Sequence, residues 1–537
     1  MGVRVEFVMN RNNKPHLKSL LPINGNAVTW GQLRGSVASM ALASSALETA
    51  APFLVIAHDA RNTEQLADEI RFFVGDDLPV KLFPNWETLP YDLFSPHQDV
   101  ISQRLDTLHS LDHLQRGVVV IAADTLLQRL PPREWLHGSM LSLDIGEEMD
   151  IEKFRQRLAS AGYDCVSQVM QHGEFAVRGS LLDVFPMGEH RPIRIDLLDN
   201  EIDSIRHFHP ETQLSSEKLD QIRVLPAREF PMHDTARRRF REQCRERFEG
   251  NPQQNLVYRA VSEGVAPAGI EYYLPLFFEH TESFFDYLPS NCIVIYETGL
   301  EDLLQENWVQ VAERYELRCV DPERPCLRPQ EICLTPTAIM GHVHSYARIE
   351  LNSFKLTTES PTQVNIPSQP PPKLLVHARD TEPIRELLAF LNSFTGRVLF
   401  VAESTGRREV LRELLSRRNL SPRLFDSWQA FLNDEHKLGI CVAPLVDGIF
   451  LPEAELCVIC ENQLFGERVR QTARRRNGRD PAAIIRDLNE LANHSPVVHE
   501  DHGVGRFRGL CRLEIGSVET EYLLLEYADE DKLYVPV

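Results

Sequence analysis

His172-Gly-Glu-Phe-Ala-Val-Arg-Gly-Ser-Leu-Leu-Asp-Val-Phe-Pro-Met-Gly188 is the stretch on which the reading of the whole chain turns. From Phe175 to Phe185 apolar residues recur at nearly every second position, and Pro186-Met187-Gly188 breaks the run. That pattern predicts a strand entering a hairpin turn. A return strand is expected over 192–198, a turn at Asp199-Asn200, and a third strand over 202–208. Period-two geometry puts Ile193, Ile195 and Leu197 on one face and Arg194 and Leu198 on the other. Closing the hairpin should bring Arg178 toward Leu198. The expected product is a small antiparallel sheet whose open face carries arginines beside an apolar residue. Antiparallel sheets often leave one face wet, so on the residues alone a solvated face is the better reading.

The frame around this sheet is large. With 537 residues, the chain has room for about three to five domains. Apolar residues make up 43% and charged ones 25%, ordinary values for a soluble globular protein. The net charge is −21, from 57 basic against 78 acidic residues. Such a field does not draw nucleic acid to the chain as a whole, so any such contact must come from local basic stretches. The ten cysteines are not clustered as in a disulfide framework, which suits a reducing cytoplasm. Cys457-Val-Ile-Cys460 has metal-like spacing but lies in an apolar run with no second pair nearby, and reads as a buried strand. No apolar run reaches membrane-spanning length, and Met1-Gly2-Val3-Arg4 carries no secretory or lipidation signal. A cytoplasmic chain without a membrane partner is expected.

Upstream of the sheet, 1–30 reads as an irregular lead-in and 30–50 as a helix. Strands at 52–57 and 118–122 alternate with helices at 59–73 and 103–114, the pattern of a parallel α/β layer. An ATP-hydrolysing layer of this kind needs GxxxxGK[ST] at its first strand-to-helix turn, where amides and the lysine hold phosphate. The nearest stretch, Leu33-Arg34-Gly35-Ser36-Val37-Ala38-Ser39-Met40, has one glycine and no lysine. The strand that should end in a Mg²⁺-holding aspartate, Cys292-Ile293-Val294-Ile295, is followed by Tyr296. Both halves of an ATP site are missing, so neither catalytic residues, metal nor cofactor are expected. His97 beside Asp99 lacks a nucleophile in register and reads as loop structure.

Downstream, 234–248 is a helix with Arg237, Arg238, Arg239, Arg241, Arg245 and Arg247, part-offset by Glu242 and Glu246; a solvated face is the better reading. The aromatic run 268–278 reads as core. Residues 356–373 are a linker by composition. Helices at 384–391 and 407–418 with strands at 398–402, 439–443 and 456–460 form a small α/β domain without legible chemistry. Arg474, Arg475 and Arg476 head a basic strip that fits either DNA phosphates or solvent. His499 and His502 lack further metal ligands. Gly503, Gly505 and Gly509 suit tight turns between short strands.

Residues 86–99, 172–188, 268–278 and 496–537 together resemble the bacterial transcription-repair coupling factor family, from about residue 20 to the end of the chain. The resemblance implies a multidomain α/β fold: a degenerate P-loop-NTPase-like, UvrB-homology module with an inserted antiparallel β domain, a small α/β domain, and a carboxy-terminal CarD-like small β-barrel. It divides the chain at 1–30, 31–150, 151–226, 227–350 (return to the first domain), 351–373, 374–465, 466–494 and 495–537. Arg178, Arg194 and Leu198 fall on the family's docking positions for the damage-recognition ATPase UvrA. Leu198 replaces an aromatic there, which keeps the site apolar and loses ring stacking. Leu513, flanked by Arg512 and Glu514, falls on the family's contact with the RNA polymerase β subunit, made by adding an edge strand. Family members continue with ATP- and Mg²⁺-dependent translocase domains and a domain that masks the UvrA surface. The chain is therefore expected to be an amino-terminal fragment acting in transcription-coupled nucleotide excision repair as an adaptor without an engine. A DNA helicase or nuclease subunit would need a P-loop or acidic metal ligands. A CarD-type regulator without a repair role leaves the UvrB-like half unexplained.

Overall fold

The computed structural model describes residues 7–9, 15–17, 21–22, 26–358, 360–376, 384–466, 496–499, 503–515, 518–527 and 532–536. The chain divides into two compact units, Met1–Arg468 and Val469–Val537.

The first unit is built on a seven-stranded, wholly parallel sheet. Its strand order is Gln363–Asn365, Ala27–Gly31, Ala347–Leu351, Ile293–Glu297, Phe53–Ala57, Val118–Ala122, Val80–Phe83. Phe53–Ala57 and Val118–Ala122 are apolar and buried at every position, as strands covered on both faces must be. Alternate residues feed two different cores. Leu54, Ile56, Val119 and Val294 join one, while Phe53, Val55, Val118 and Ile295 join the other. The helix Ala60–Val74 starts where Asp59 accepts a 2.8 Å hydrogen bond from the Asn62 amide, and it buries Ile70 and Phe73.

Two expectations change here. Part of the supposed lead-in, Ala27–Gly31, is a sheet strand, and the helix after it runs over Val37–Glu48. Val28 and Trp30 alternate toward the core, but the run is only five residues long. Part of the supposed linker is structural as well. Gln363–Asn365 adds a strand beside Ala27–Gly31, and Ser368 accepts from the Arg34 amide at 3.1 Å.

The chain leaves this sheet after residue 122 and builds a six-stranded second sheet, larger than the three strands expected. Its order is Ser215–Leu219, Glu201–Phe208, Ile193–Leu198, Leu181–Val184, Glu174–Arg178, Asp164–Cys165. Ile193, Ile195, Ile202 and Ile205 are fully buried in the core shared with the first domain. The chain returns through Glu229. Arg104 and Glu229 form a buried ion pair at 2.7 Å, Trp86 Nε1 donates to the same carboxylate at 2.7 Å, and Arg104 stacks 4.3 Å over the Phe83 ring. The aromatic run supplies core: Tyr272, Tyr273, Leu274 and Phe277 are buried around a 3₁₀ helix, Ile270–Leu276.

The third part holds a five-stranded sheet, ordered Arg423–Leu424, Leu438–Val442, Arg397–Ala402, Leu456–Cys460, Ile449–Leu451, parallel except for the last pair. One face has its own core around Leu387, Phe400 and Leu411. The other, through Leu399, Val401, Phe431 and Cys441, packs into the first domain's second core.

The second unit is a four-stranded antiparallel meander, Pro496–His499, Gly503–Ile515, Val518–Glu526, Lys532–Pro536. The register of its long hairpin shifts between Phe507 and Gly509, a bulge that bends the strand. Arg508 clamps Glu526 across it at 2.6 and 2.9 Å. Among the described residues no helix is long and apolar enough to cross a membrane.

Candidate interaction surfaces

The two arginines singled out in the sequence converge on one carboxylate. Asp183 lies between Ala176 and Arg194 in register and is 2% exposed. Arg194 Nε meets Asp183 Oδ1 at 2.7 Å and its Nη2 meets Oδ2 at 2.9 Å. Arg194 also donates to the Gln213 carbonyl at 3.1 Å and lies 4.7 Å over the Phe208 ring. Such a two-pronged pair is the strong form of an ion pair. The Asp183 bond holds the Arg194 guanidinium even more firmly protonated than usual. Arg178 reaches Asp183 Oδ2 only at 3.6 Å and stays half exposed. Leu198, just before the left-handed turn residue Asp199, is 69% exposed.

The face is therefore only partly wet. Val169, Ala176, Phe185 and Phe208 make a small second core beneath it. Cross-strand register adds residues that sequence reading missed: Arg206 lies opposite Arg194, and Lys218 opposite Arg206. Directly opposed residues share a face, so Arg194, Arg206 and Lys218 form one basic row. Finding its last member needs the edge strand, Ser215–Leu219, whose polar sequence carries no alternation. The quoted stretch is also anchored to the first domain. His172 Nδ1 bonds Asp99 Oδ1 at 2.7 Å and its Nε2 bonds the Glu189 carbonyl oxygen at 2.8 Å. The His172 bond holds the Asp99 carboxyl below the usual carboxylate range. His97 caps the helix Gln98–Leu111.

The degenerate phosphate-loop stretch does sit at a strand-to-helix turn, between Ala27–Gly31 and Val37–Glu48. It is filled by the chain itself. The Ser36 amide donates to the Gly448 carbonyl at 3.3 Å, and the Ser36 hydroxyl donates to the Asp447 carbonyl at 2.8 Å. Gly35 has φ +58°, and a Cβ there would lie 2.1 Å from the Gly448 oxygen. Behind it Ser39 donates to Glu69 at 2.5 Å, and burial pushes that carboxyl's pKa up. Cys457 and Cys460 lie in a fully buried strand, and burial pushes the Cys457 thiol up to about 12. Among the described residues no three His, Cys, Asp or Glu side chains are grouped to hold a metal.

Arg512, Leu513 and Glu514 lie in Gly503–Ile515, with Leu513 opposite Thr520. Pro496–His499 pairs only with residues 503–506. Beyond them, among the described residues, this strand is paired on one side alone. Arg474, Arg475 and Arg476 lie outside the described residues.

Comparison with known proteins matches this arrangement to three families. Residues 141–230 match the UvrB interaction domain, 390–464 the MFD D3 domain, and 491–537 the CarD-like/TRCF RID domain. The chain is thus of a multidomain class that includes an interaction module. The modules, in this order, are those of the amino-terminal region of the transcription-repair coupling factor family. Transcription-repair-coupling factor of Escherichia coli K12 is 41% identical over 96% of this chain and 45% of its own length. That of Haemophilus influenzae is 40% identical over 90% and 42%, and that of Bacillus subtilis 26% over 94% and 44%. The chain spans a little under half the length of these curated relatives.

Proposed function

We propose that this chain couples transcription to nucleotide excision repair as an adaptor. Its second sheet docks UvrA through Arg178, Arg194 and Leu198, and its carboxy-terminal meander holds the β subunit of RNA polymerase stalled at a lesion. The observation that carries this reading is the pairing of two recognition elements on one chain. One is an arginine face ordered on buried Asp183 beside exposed Leu198, inside a UvrB interaction domain. The other is a one-sided strand over 507–515 inside a CarD-like/TRCF RID domain. A half-paired strand offers backbone donors and acceptors to a partner sheet, with Leu513 and its neighbours supplying selectivity.

The chain works without nucleotide or metal. The turn where phosphate would bind is occupied by residues 447–448, and Tyr296 stands where a Mg²⁺ ligand is needed. ATP turnover above a protein-free blank would contradict this. The main experiment is capture of purified UvrA by the chain, without polymerase or nucleotide, comparing wild type with Arg178→Glu and Leu198→Ser. Both side chains are solvent-facing, so the variants should fold and lose UvrA. Undiminished capture by both would place docking elsewhere. A well-folded wild type that captures polymerase and no UvrA would leave a CarD-type regulator as the better reading.

A further inference from the structure

The helix Asp234–Arg247 carries six arginines, and most of them have a partner. Arg237 pairs with Asp234, Arg239 with Glu279 at 2.9 Å and Arg247 with Glu331 at 2.7 Å. Arg245 donates to the Tyr258 hydroxyl, a contact that leaves its charge uncancelled. Arg238 and Arg241 have no carboxylate partner among the described residues. Both line a cavity of about 340 Å³, with Asp234, Thr235, Arg237 and Ser262 as its other walls. The hydroxyls are already engaged. Ser262 donates to the Tyr258 carbonyl at 2.6 Å, and Thr235 shares a hydrogen bond with His233 at 2.8 Å. Asp234 is engaged by Arg237, which leaves Arg238 and Arg241 as the lining arginines without a carboxylate partner among the described residues.

Like charges three and four residues apart are neighbours on a helix and weaken it. Arg238, Arg241 and Arg245 stand at such spacings, in a row about 10 Å long. Asp234, Glu242 and Glu246 offset part of their mutual repulsion, and a bound external anion would relieve the rest. A row suits a polymeric anion better than a single small one. Guanidinium forks match phosphate oxygens two at a time. The lining has no apolar or aromatic anchor, which a peptide partner would ordinarily require. The chain's net charge of −21 makes this local concentration of positive charge the more selective, since the surrounding field repels polyanions. We propose that the Arg238–Arg241–Arg245 row is a binding site for the phosphodiester backbone of nucleic acid, contacted without regard to base sequence.

The test uses the full chain and fluorescence anisotropy with short labelled duplexes of two unrelated sequences, titrated across a range of salt. Arg238→Gln/Arg241→Gln should weaken binding about tenfold at low salt, equally on both duplexes, and flatten the slope of log K against log salt by about 2. Arg61→Ala/Arg412→Ala removes the same charge elsewhere and should change neither by as much. Wild-type slope in the first variant, or a loss no greater than the second's, would overturn the proposal. So would a wild type that ignores both duplexes but binds labelled polyglutamate, which would mark an acidic-peptide site. Binding of inorganic phosphate at low concentration, without any duplex binding, would likewise overturn it.

Discussion

Arg178 and Arg194 look equivalent in sequence and are not equivalent in the folded chain. Arg194 is the partner that keeps Asp183 compensated in its 2% exposed position. Removing one member of a buried pair leaves an unpaired charge, so Arg194→Ala should cost about 3–5 kcal/mol in urea denaturation. Arg178→Ala should cost no more than about 1 kcal/mol, because its contact is long and half exposed. Equal losses would mean that the two arginines share Asp183 evenly in solution. Loss of UvrA binding in an Arg194 variant therefore reports on folding unless stability is measured beside it. Glu271 gives a pH signature. Burial pushes its carboxyl from the ordinary 4.5 up to about 7, so the folded state holds this proton more tightly than the unfolded chain. The resulting stability is fully present below pH 4.5 and is lost as pH rises through about 7. A Glu271→Gln variant should lack that decline. The difference between variant and wild type should grow across this window to on the order of 3 kcal/mol, read from denaturation midpoints at stepped pH.

At the scale of elements, the turn Gln32–Ser36 is a joint between two distant parts of the chain. Glycine at position 35 is required twice over, by φ +58° and by the Gly448 carbonyl that comes where a Cβ would stand. Gly35→Ala should cost about 1–3 kcal/mol and raise hydrogen exchange in the 445–449 loop as well as in the turn. Protection unchanged in that loop would show that the contact does not couple the two elements. Continuously apolar strands were legible to within about a residue, as at Val118–Ala122 and Leu456–Cys460. The period-two run 175–185, by contrast, read as one strand, is two strands, Glu174–Arg178 and Leu181–Val184, paired as a hairpin around Gly179. Ser215–Leu219, almost wholly exposed and polar, was not legible, because it is held by backbone pairing to Glu201–Phe208 and buries little of its own. Ala27–Gly31 and Gln363–Asn365 were missed for a related reason. Each is short and is held by backbone pairing: Ala27–Gly31 lies between Ala347–Leu351 and Gln363–Asn365, and Gln363–Asn365 pairs with Ala27–Gly31.

At the scale of the molecule, the first domain, its inserted sheet and the 374–465 region form one unit with interleaved cores. The face of the third sheet that carries Leu399, Val401, Phe431 and Cys441 has its apolar partners in the first domain. Residues 374–465 expressed alone should therefore expose a contiguous apolar face and self-associate. A soluble, cooperatively folding monomer in analytical ultracentrifugation would contradict this. In the whole chain that region caps the Gln32–Ser36 turn through residues 447–448 and covers one face of the parallel sheet.

Local chemistry alone was enough to read the α/β layers, an antiparallel sheet, the lack of a phosphate-loop motif and a face that carries arginines, because each is carried by residue spacing or by residue identity. The docking role of the two arginines rested on the family resemblance. Which arginine is structural and which is free was a matter of tertiary structure. Both occupy the same strand face, and only the packing of Phe208, Gln213 and Asp183 around one of them separates their roles. The filling of the Gln32–Ser36 turn was decided at the same level. It depends on Gly448 reaching a residue more than four hundred positions away, and such a contact leaves no trace in the local pattern of either segment.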